Sequence, residues 1–173
     1  MAKMIAPEDL RELIRSGLLS FPVTPFNHEN TFDPHAFAAH LEWLSPHKIA
    51  GLIVAGGTGE LFSLSPDEVI DVVKTARVVQ PSKPVIAGCG YGTSMACDMA
   101  EKIEAAGGDG ILLLPHYLIN APQDGIAAHI RAVCDSTRMG VIIYNRGNSV
   151  VSAETLEQLV ERCPNLIGFK DGT

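Results

Sequence analysis

The sequence predicts an α/β fold, a (β/α)8 TIM barrel of which this chain supplies about six β-α units. Two observations favour it. Six short apolar runs, rich in Val, Ile and Leu and bounded by Gly or Pro, have the composition of strands buried on both faces. These runs recur at intervals of roughly 26 to 33 residues, about one β-α unit each, with amphipathic stretches between them.

The predicted elements follow one another in strict alternation. In chain order, the predicted strands are Leu18–Thr24, Gly51–Ala55, Pro84–Gly88, Gly110–Leu114, Gly140–Tyr144 and Leu166–Lys170. The helices between them are predicted at His35–Leu44, Pro66–Val79, Ser94–Ala106, Pro122–Cys134 and Ala153–Arg162, and a short helix, Pro7–Ser16, precedes the first strand.

Capping residues mark the helix boundaries. Ser65 supplies an N-cap directly before a proline at the first helical position, and acidic residues follow in the first turn. Asp33 and Ser152 mark two further helix starts in a similar way. The pair Gly107-Gly108 ends the third of the helices that lie between strands.

Six consecutive strand-helix steps suit either a doubly wound sheet or a (β/α)8 barrel. The regular spacing and the placement of polar residues favour the barrel. A barrel usually needs about 250 residues, whereas this chain stops at Thr173, just after its sixth strand. An open sheet edge would leave backbone donors and acceptors unpaired. We therefore expect residues 1–173 to form a single catalytic barrel domain that is truncated after the sixth strand.

The composition argues against several classes of protein. Hydrophobic residues make up 46% of the chain and charged residues 19%, as in an ordinary globular protein. The formal charge of −7 argues against a nucleic-acid-binding surface, which needs a basic face. No apolar stretch approaches the roughly 20 residues of a membrane span, and residues 1–8 show no secretory signal. The four cysteines lack metal-site spacing, so reduced thiols in a cytoplasmic protein are expected.

Lys170 stands at the end of the sixth predicted strand, and in such folds the active site lies at the carboxyl ends of the strands. An apolar setting removes the water that stabilises an ammonium, so the amine loses its proton more easily. It can then condense with a carbonyl, which predicts Schiff-base chemistry on a keto substrate. The alternative is a lysine whose amino group reaches solvent at the strand end.

A glycine-rich loop, Gly56-Gly57-Thr58-Gly59-Glu60, follows the second predicted strand. Glycines let the backbone approach a ligand closely, and their free N–H groups can hold a carboxylate or a phosphate. The loop lacks the Gly-Lys-Ser/Thr ending of a P-loop, so a nucleotide site is a remote alternative. A tight turn without a ligand is the other interpretation.

Tyr144 ends the fifth predicted strand, one strand before Lys170. A phenol there can donate a proton to a developing alkoxide or take one from a carbinolamine. Arg146 follows two residues later. It could pair bidentately with a carboxylate, or it could be a solvated loop charge.

His116 and Tyr117 follow the fourth predicted strand and are weaker candidates for the site. The other histidines lie in predicted helices or loops without a shared metal geometry, so no metal site is expected. Asp171 and Glu60 are interpreted as residues that orient loops rather than transfer protons.

Four motifs, taken in order, resemble those of the dihydrodipicolinate synthase / N-acetylneuraminate lyase family. They are Thr24-Pro25-Phe26, Gly56-Gly57-Thr58-Gly59-Glu60, Tyr144-Asn145 and Gly168-Phe169-Lys170-Asp171. The resemblance runs over nearly all of the chain, and the order and spacing of the motifs are much more specific than any one of them. It implies a barrel that forms a Schiff base with a 2-keto acid and uses no metal or organic cofactor. The implied partners are a small keto acid and further copies of the chain, in a dimer or tetramer.

The resemblance also implies roles for individual residues. Lys170 is similar to the Schiff-base lysine of the family, and Tyr144 to its acid/base and proton-transfer partner. Gly57 and Thr58 would hold the keto-acid carboxylate through backbone N–H groups and the Thr58 hydroxyl. Tyr117 is similar to a tyrosine that, in the synthase branch, reaches into a neighbouring subunit's site.

Two departures separate this chain from the synthase branch. The synthases carry two threonines in the glycine loop, and Gly57 stands at the position of the first. A Tyr-Thr-Tyr proton relay that would include Tyr117 is therefore broken. After the Tyr-Asn pair the synthases have a proline and then an arginine two residues on, whereas Arg146 follows Asn145 directly here. This difference argues against aspartate semialdehyde as a second substrate.

The amino-acid sequences of the motifs are most similar to those of a family branch whose enzymes remove water and carbon dioxide from a six-carbon keto-diacid. We therefore expect a Schiff-base-forming lyase that acts on a 2-keto sugar acid, with Arg146 as a partner for the distal carboxylate. Two alternatives stay open. A retro-aldolase on a 2-keto-3-deoxy sugar acid would use the same mechanism but release pyruvate. A catalytically idle barrel fragment would only bind or assemble.

Overall fold

The computed structural model describes residues 4–116 and 120–173. In chain order, its elements are α1 (Pro7–Ile14), β1 (Leu18–Ser20), α2 (Pro34–Leu44), β2 (Ile49–Val54), a 3-10 turn (Leu61–Ser63), α3 (Pro66–Val79), β3 (Val85–Cys89), α4 (Thr93–Ala105), β4 (Gly110–Leu113), α5 (Gln123–Asp135), β5 (Gly140–Asn145), α6 (Ala153–Arg162) and β6 (Leu166–Asp171).

The six strands are parallel, and each pairs with the strand that precedes it in the chain, in the order β1-β2-β3-β4-β5-β6. This order excludes the doubly wound alternative, in which the strand order reverses at a switch point. Residues of β1 and β6, at the two ends of the sheet, line the same cavity, so the sheet is curled. Helices α2 to α6 contact one another in sequence around the outside. The predicted barrel architecture is thus confirmed over six β-α units.

One predicted element needs correction. The first strand ends at Ser20 and not at Thr24. Pro22 and Pro25 have no backbone N–H to donate, so the ladder with β2 cannot continue through them. Phe26 then forms an isolated antiparallel bridge with Phe32. The boundaries of the other elements lie within two residues of the predicted ones.

The predicted cap of α3 is a complete capping box. The Ser65 hydroxyl accepts a hydrogen bond from the Glu68 N–H, and the Glu68 carboxylate accepts one from the Ser65 N–H at 2.9 Å. The same carboxylate accepts a hydrogen bond from the Phe32 N–H at 2.8 Å. These backbone donors lower the pKa of Glu68, and they tie the loop before α2 to the start of α3.

Helix α1 lies against the amino-terminal ends of the strands. Leu10 is fully buried there, and a Cβ on Gly110 or Gly140 would lie 2.9 or 3.0 Å from its Cδ2 atom. Beside it, the buried Asp109 pairs with Arg77 and accepts a hydrogen bond from the Val85 N–H at 2.9 Å. Across residues 4–116 and 120–173, the structure contains no helix that is long and apolar enough to cross a membrane.

Candidate active site

Strands β5 and β6 place Tyr144 beside Lys170. The two residues are register partners in the parallel ladder, and the Lys170 Nζ atom lies 3.3 Å from the centroid of the Tyr144 ring. At this distance the amino group sits over the ring face, where the electron density of the ring attracts a cation. The same atom lies 6.0 Å from the ring centroid of Phe21. Lys170 is half-buried, so its side chain is only partly withdrawn from water.

Arg146 adds a second cation to Tyr144. Its Nη1 atom donates a hydrogen bond to the phenolic oxygen at 2.9 Å, and its guanidinium carbon lies 5.9 Å from the ring centroid. The pKa of Tyr144 is lowered, first by its interaction with the Lys170 amino group and then by the hydrogen bond from Arg146. Both cations stabilise the phenolate, so this phenol gives up its proton more easily than an isolated tyrosine.

The inner face of the curled sheet lines an open cavity of about 760 Å³ below Lys170, and Arg11, Glu12 and Arg15 line it on the side of α1. Its walls are mostly apolar and come from five strands; they include Leu19, Ile53, Leu112, Ile142 and Gly168. The interior of a closed (β/α)8 barrel is packed with side chains. We therefore interpret this cavity as the barrel interior, and we expect a substrate at the carboxyl rim above it.

The glycine loop after β2 is held by a hydrogen bond from the Thr24 side chain and by close packing of main chain on main chain. The Thr24 hydroxyl donates a hydrogen bond to the Gly59 carbonyl at 2.7 Å, which ties the loop to the segment after β1. A Cβ on Gly59 would lie 2.8 Å from the Ala55 nitrogen, and a Cβ on Gly88 would lie 1.9 Å from the Ala55 oxygen. Ala55 and Glu60 have positive φ angles of 47° and 55°. Such strained backbone persists only where the surroundings impose it.

Gly57 and Thr58 form the exposed top of this loop. A Cβ on Gly57 would meet no atom within 4 Å. In the part of the chain that the structure describes, the N–H groups of both residues donate no hydrogen bond. Two adjacent free N–H groups can accommodate an anion. The loop shares the carboxyl rim with Lys170, but the contacts within the described ranges do not join the two.

Asn145 and Asp171 form a link between β5 and β6 that the sequence analysis did not assign. They are register partners one step beyond Tyr144 and Lys170, and the Asn145 Nδ2 atom donates to the Asp171 carboxylate at 3.2 Å. The side-chain oxygen of Asn145 accepts a hydrogen bond from the Val151 N–H at 2.8 Å. The pKa of Asp171 is lowered, first by Asn145 and then by Thr173. These contacts suit the loop-orienting role predicted for Asp171.

Gly172 is a second residue without an assigned role. A Cβ at this position would lie 2.5 Å from Cε2 of Tyr144, so the ring packs directly on the main chain. The Gly172 N–H donates to the Asn145 backbone oxygen at 2.9 Å, which fixes that main chain. The position of the tyrosine ring therefore requires a residue without a side chain here. A glycine that closely follows the lysine was the signal available in the sequence.

The remaining candidates lie after β4. Tyr117 falls outside the described residues, so its predicted place near a neighbouring subunit stays a prediction. The His116 ring centroid lies 5.7 Å from that of His129, which joins the end of β4 to α5. Burial, and then His116, lower the pKa of His129. The Glu60 carboxylate accepts a hydrogen bond from the Ser63 hydroxyl at 3.1 Å, a contact within its own loop.

A parallel sheet curled into part of a barrel, with a lysine and a tyrosine at its carboxyl rim, identifies the chain as a (β/α)8-barrel protein with a candidate active site at that rim. A family model described as the dihydrodipicolinate synthetase family matches residues 15–173. The chain therefore belongs to the dihydrodipicolinate synthetase family, as the resemblance of its motifs implied.

Individual relatives are similar over most of this chain. A protein of Rhizobium meliloti (strain 1021) named "Probable 5-dehydro-4-deoxyglucarate dehydratase" is 57% identical over 169 residues, which cover 98% of this chain and 56% of that protein. A protein of Cereibacter sphaeroides with the same name is 56% identical, over 96% of this chain and 56% of its own length. The crystal structure of dihydrodipicolinate synthase from Agrobacterium tumefaciens str. C58 matches with a TM-score of 0.86 and 28% identity, over 94% of this chain and 56% of that one. The chain thus spans little more than half the length of these relatives.

Proposed function

We propose that this protein is a Schiff-base-forming lyase that converts 5-dehydro-4-deoxyglucarate to 2,5-dioxopentanoate with loss of water and carbon dioxide. The contact between the Lys170 amino group and the Tyr144 ring, 3.3 Å apart at the ends of adjacent strands, carries the proposal. Relatives at 57% and 56% identity, both named as probable dehydratases of this compound, support the choice of substrate.

The first stage forms the iminium. The unprotonated Lys170 amine attacks the keto carbon, and a proton moves from nitrogen to the new alkoxide to give a carbinolamine. Tyr144 then donates its phenolic proton to the departing hydroxyl group, which leaves as water. The product is an iminium between Lys170 and the substrate, together with a tyrosine phenolate. The lowered pKa of Tyr144 supports this step, because its phenolate is stabilised by two neighbouring cations.

The second stage uses the iminium as an electron sink. The phenolate removes a proton from the carbon next to the iminium, and the resulting enamine expels the β-hydroxyl group. That group takes the proton from Tyr144 and leaves as the second water. The conjugated iminium then accepts the electron pair that is released when the distal carboxylate leaves as carbon dioxide. Protonation on carbon, tautomerisation of the enol to the aldehyde and hydrolysis with one water regenerate Lys170 and release the product.

Two parts of the rim suit the two carboxylates of the substrate. The free N–H groups of Gly57 and Thr58, with the Thr58 hydroxyl, suit the carboxylate next to the ketone. Arg146 suits the distal carboxylate, provided that it does not hold the charged group too tightly for decarboxylation. We also propose that the protein acts in the cytoplasm as a homo-oligomer, a dimer or tetramer, because its four cysteines are free thiols and the family resemblance implies assembly.

Borohydride reduction of the natural protein in the presence of 5-dehydro-4-deoxyglucarate tests the proposal. We expect substrate-derived mass on the peptide that contains Lys170, and carbon dioxide among the products of unreduced turnover. The Lys170→Met variant is the matched control and should acquire no adduct. Release of pyruvate instead of carbon dioxide would indicate the retro-aldolase. A folded protein that forms no adduct would favour an idle barrel and would end the proposal.

A further inference from the structure

Arg146 is already engaged with the catalytic tyrosine, although the sequence predicts it as a partner for substrate. Its Nη1 atom donates to the Tyr144 phenolic oxygen at 2.9 Å. It forms no ion pair with any carboxylate of residues 4–116 and 120–173. A guanidinium carries five N–H donors, so most of its hydrogen-bonding capacity stays available to a ligand.

The backbone of Arg146 is fixed while its side chain is exposed. Arg146 and Ser149 form an antiparallel bridge, and the Ser149 N–H donates to the Arg146 oxygen at 3.1 Å. Gly147 turns the chain between them with a φ of 61°. The guanidinium therefore extends from a defined point, and its position depends on which acceptor it contacts.

Two cations control the charge around Tyr144. Lys170 on β6 lies over the ring, and Arg146 in the turn after β5 contacts the oxygen. The nearest acid on the neighbouring strand, Asp171, is engaged with Asn145 and Thr173 instead. Removing the contact with either cation therefore raises the pKa of the Tyr144 phenol.

We infer that Arg146 is a positioning residue that links the distal carboxylate of the substrate to the proton on Tyr144. In this structure the guanidinium donates a hydrogen bond to the phenolic oxygen. A substrate with a second carboxylate pairs with the guanidinium and releases the phenol. No bond is made or broken in this exchange, and the phenol keeps its proton. The inference rests on the proposed Schiff-base function and adds a means of recognising keto-diacids.

The exchange is energetically reasonable and has a chemical effect. Arg146 gives up a hydrogen bond to a neutral phenol and gains a bidentate, charge-assisted pair with a carboxylate, which is the stronger interaction. The pairing also neutralises one of the two cations beside Tyr144. The phenolate becomes more basic and removes the C–H proton more readily, but only when the bound keto acid has a second carboxylate. A keto acid with a single carboxylate would form the iminium and leave the tyrosine held by Arg146.

Absorbance titration of tyrosinate in the empty protein tests the first half of the inference. Subtracting the titration of Tyr144→Phe from that of the unmodified protein isolates the signal of Tyr144. We expect Arg146→Gln to move this signal to higher pH, because the positive charge beside the phenolic oxygen is lost. Arg146→Lys keeps the charge and should move it less. An unchanged titration in Arg146→Gln would overturn the inference.

Two keto acids of equal length test the second half. 2-Oxoadipate and 2-oxohexanoate can both form an iminium, lack a β-hydroxyl to expel, and differ in the distal carboxylate. We expect 2-oxoadipate to move the Tyr144 titration to higher pH than 2-oxohexanoate does, and Arg146→Gln to abolish this difference. If borohydride tethers both acids to Lys170 but the titrations coincide, the inference fails and the proposed function stands. If neither acid is tethered, both fail.

Discussion

The carboxyl rim of the sheet is built in two different ways. Above β2 and β3 it consists of main chain, with strained Ala55 and with glycines packed against it. Above β5 and β6 it consists of side chains, with Lys170 over the Tyr144 ring and Arg146 at the phenolic oxygen. We refer to these as the backbone half and the side-chain half of the rim. The backbone half presents N–H groups that cannot titrate, whereas the side-chain half carries groups whose charge responds to their neighbours.

The two halves differ in what they contribute to the rim: one depends on close packing, and the other carries the groups that can react. At Gly59 and Gly88 of the backbone half, close packing decides which residues are allowed, so a single added methyl group is expected to disturb the fold there. In the side-chain half, we expect the identity of one functional group to decide the chemistry and the fold to tolerate its loss. We therefore expect substitutions in the backbone half to lower stability and substitutions in the side-chain half to lower turnover. A glycine that lies in the side-chain half tests this division directly.

Tyr144→Phe is the strongest test of the side-chain half. The substitution keeps the ring and removes the hydroxyl that we propose donates and accepts protons. Loss of a general acid/base typically costs about 10²- to 10⁴-fold in rate, so turnover measured by carbon dioxide release should fall by that factor. The free energy of unfolding in urea should change little. Turnover close to that of the unmodified protein would show that Tyr144 has no part in proton transfer.

Gly88→Ala tests the backbone half. The new Cβ would lie 1.9 Å from the Ala55 oxygen, so the glycine loop or β3 must move. Overpacking of this kind costs about 1–3 kcal/mol of unfolding free energy, which urea denaturation would measure. Gly57→Ala is the matched control for stability, because a Cβ at this exposed position meets no atom within 4 Å and its φ is not positive. Equal stability of the two variants would contradict the close approach of Gly88 to Ala55.

Gly172→Ala sharpens the comparison with a smaller effect. Its Cβ would push on Cε2 of Tyr144 from 2.5 Å and shift the ring relative to Lys170. A misplacement of about 1 Å can cost a hundredfold in rate, and we expect about tenfold here because the ring can partly adjust. In the Tyr144→Phe background the same change should add little to the loss of turnover. Fully additive losses would show that Gly172 does not act through the tyrosine.

The sequence could predict most of the fold because parallel strands that are buried on both faces stand out as apolar runs. β3 and β4 are buried along their whole length and were predicted within one residue at each end. β1 is the exception, because the apolar run continues beyond Ser20 while the hydrogen-bonded ladder stops before Pro22. An apolar composition indicates burial but not hydrogen-bonded pairing. In residues 18–24 the two do not coincide.

The site was less predictable, because its details depend on contacts between separate segments. The sequence places Lys170 and Tyr144 on consecutive strand ends, and the structure brings them together. The hydrogen bond from Arg146 to Tyr144 was not predicted, although residues two apart at a strand end share a face. The Asn145–Asp171 link depends on the register between β5 and β6, which a single sequence does not specify.

Helix α1 has a consequence for the order in which the protein folds. Each strand pairs with the one synthesised just before it, so β-α units can be added successively as the chain leaves the ribosome. Leu10 cannot pack as soon as it is synthesised, because it contacts the starts of β4 and β5, about a hundred or more residues later in the chain. We expect α1, although it is made before the strands on which it packs, to be among the last of the described elements to dock, so its apolar face is a surface that a chaperone would meet during synthesis.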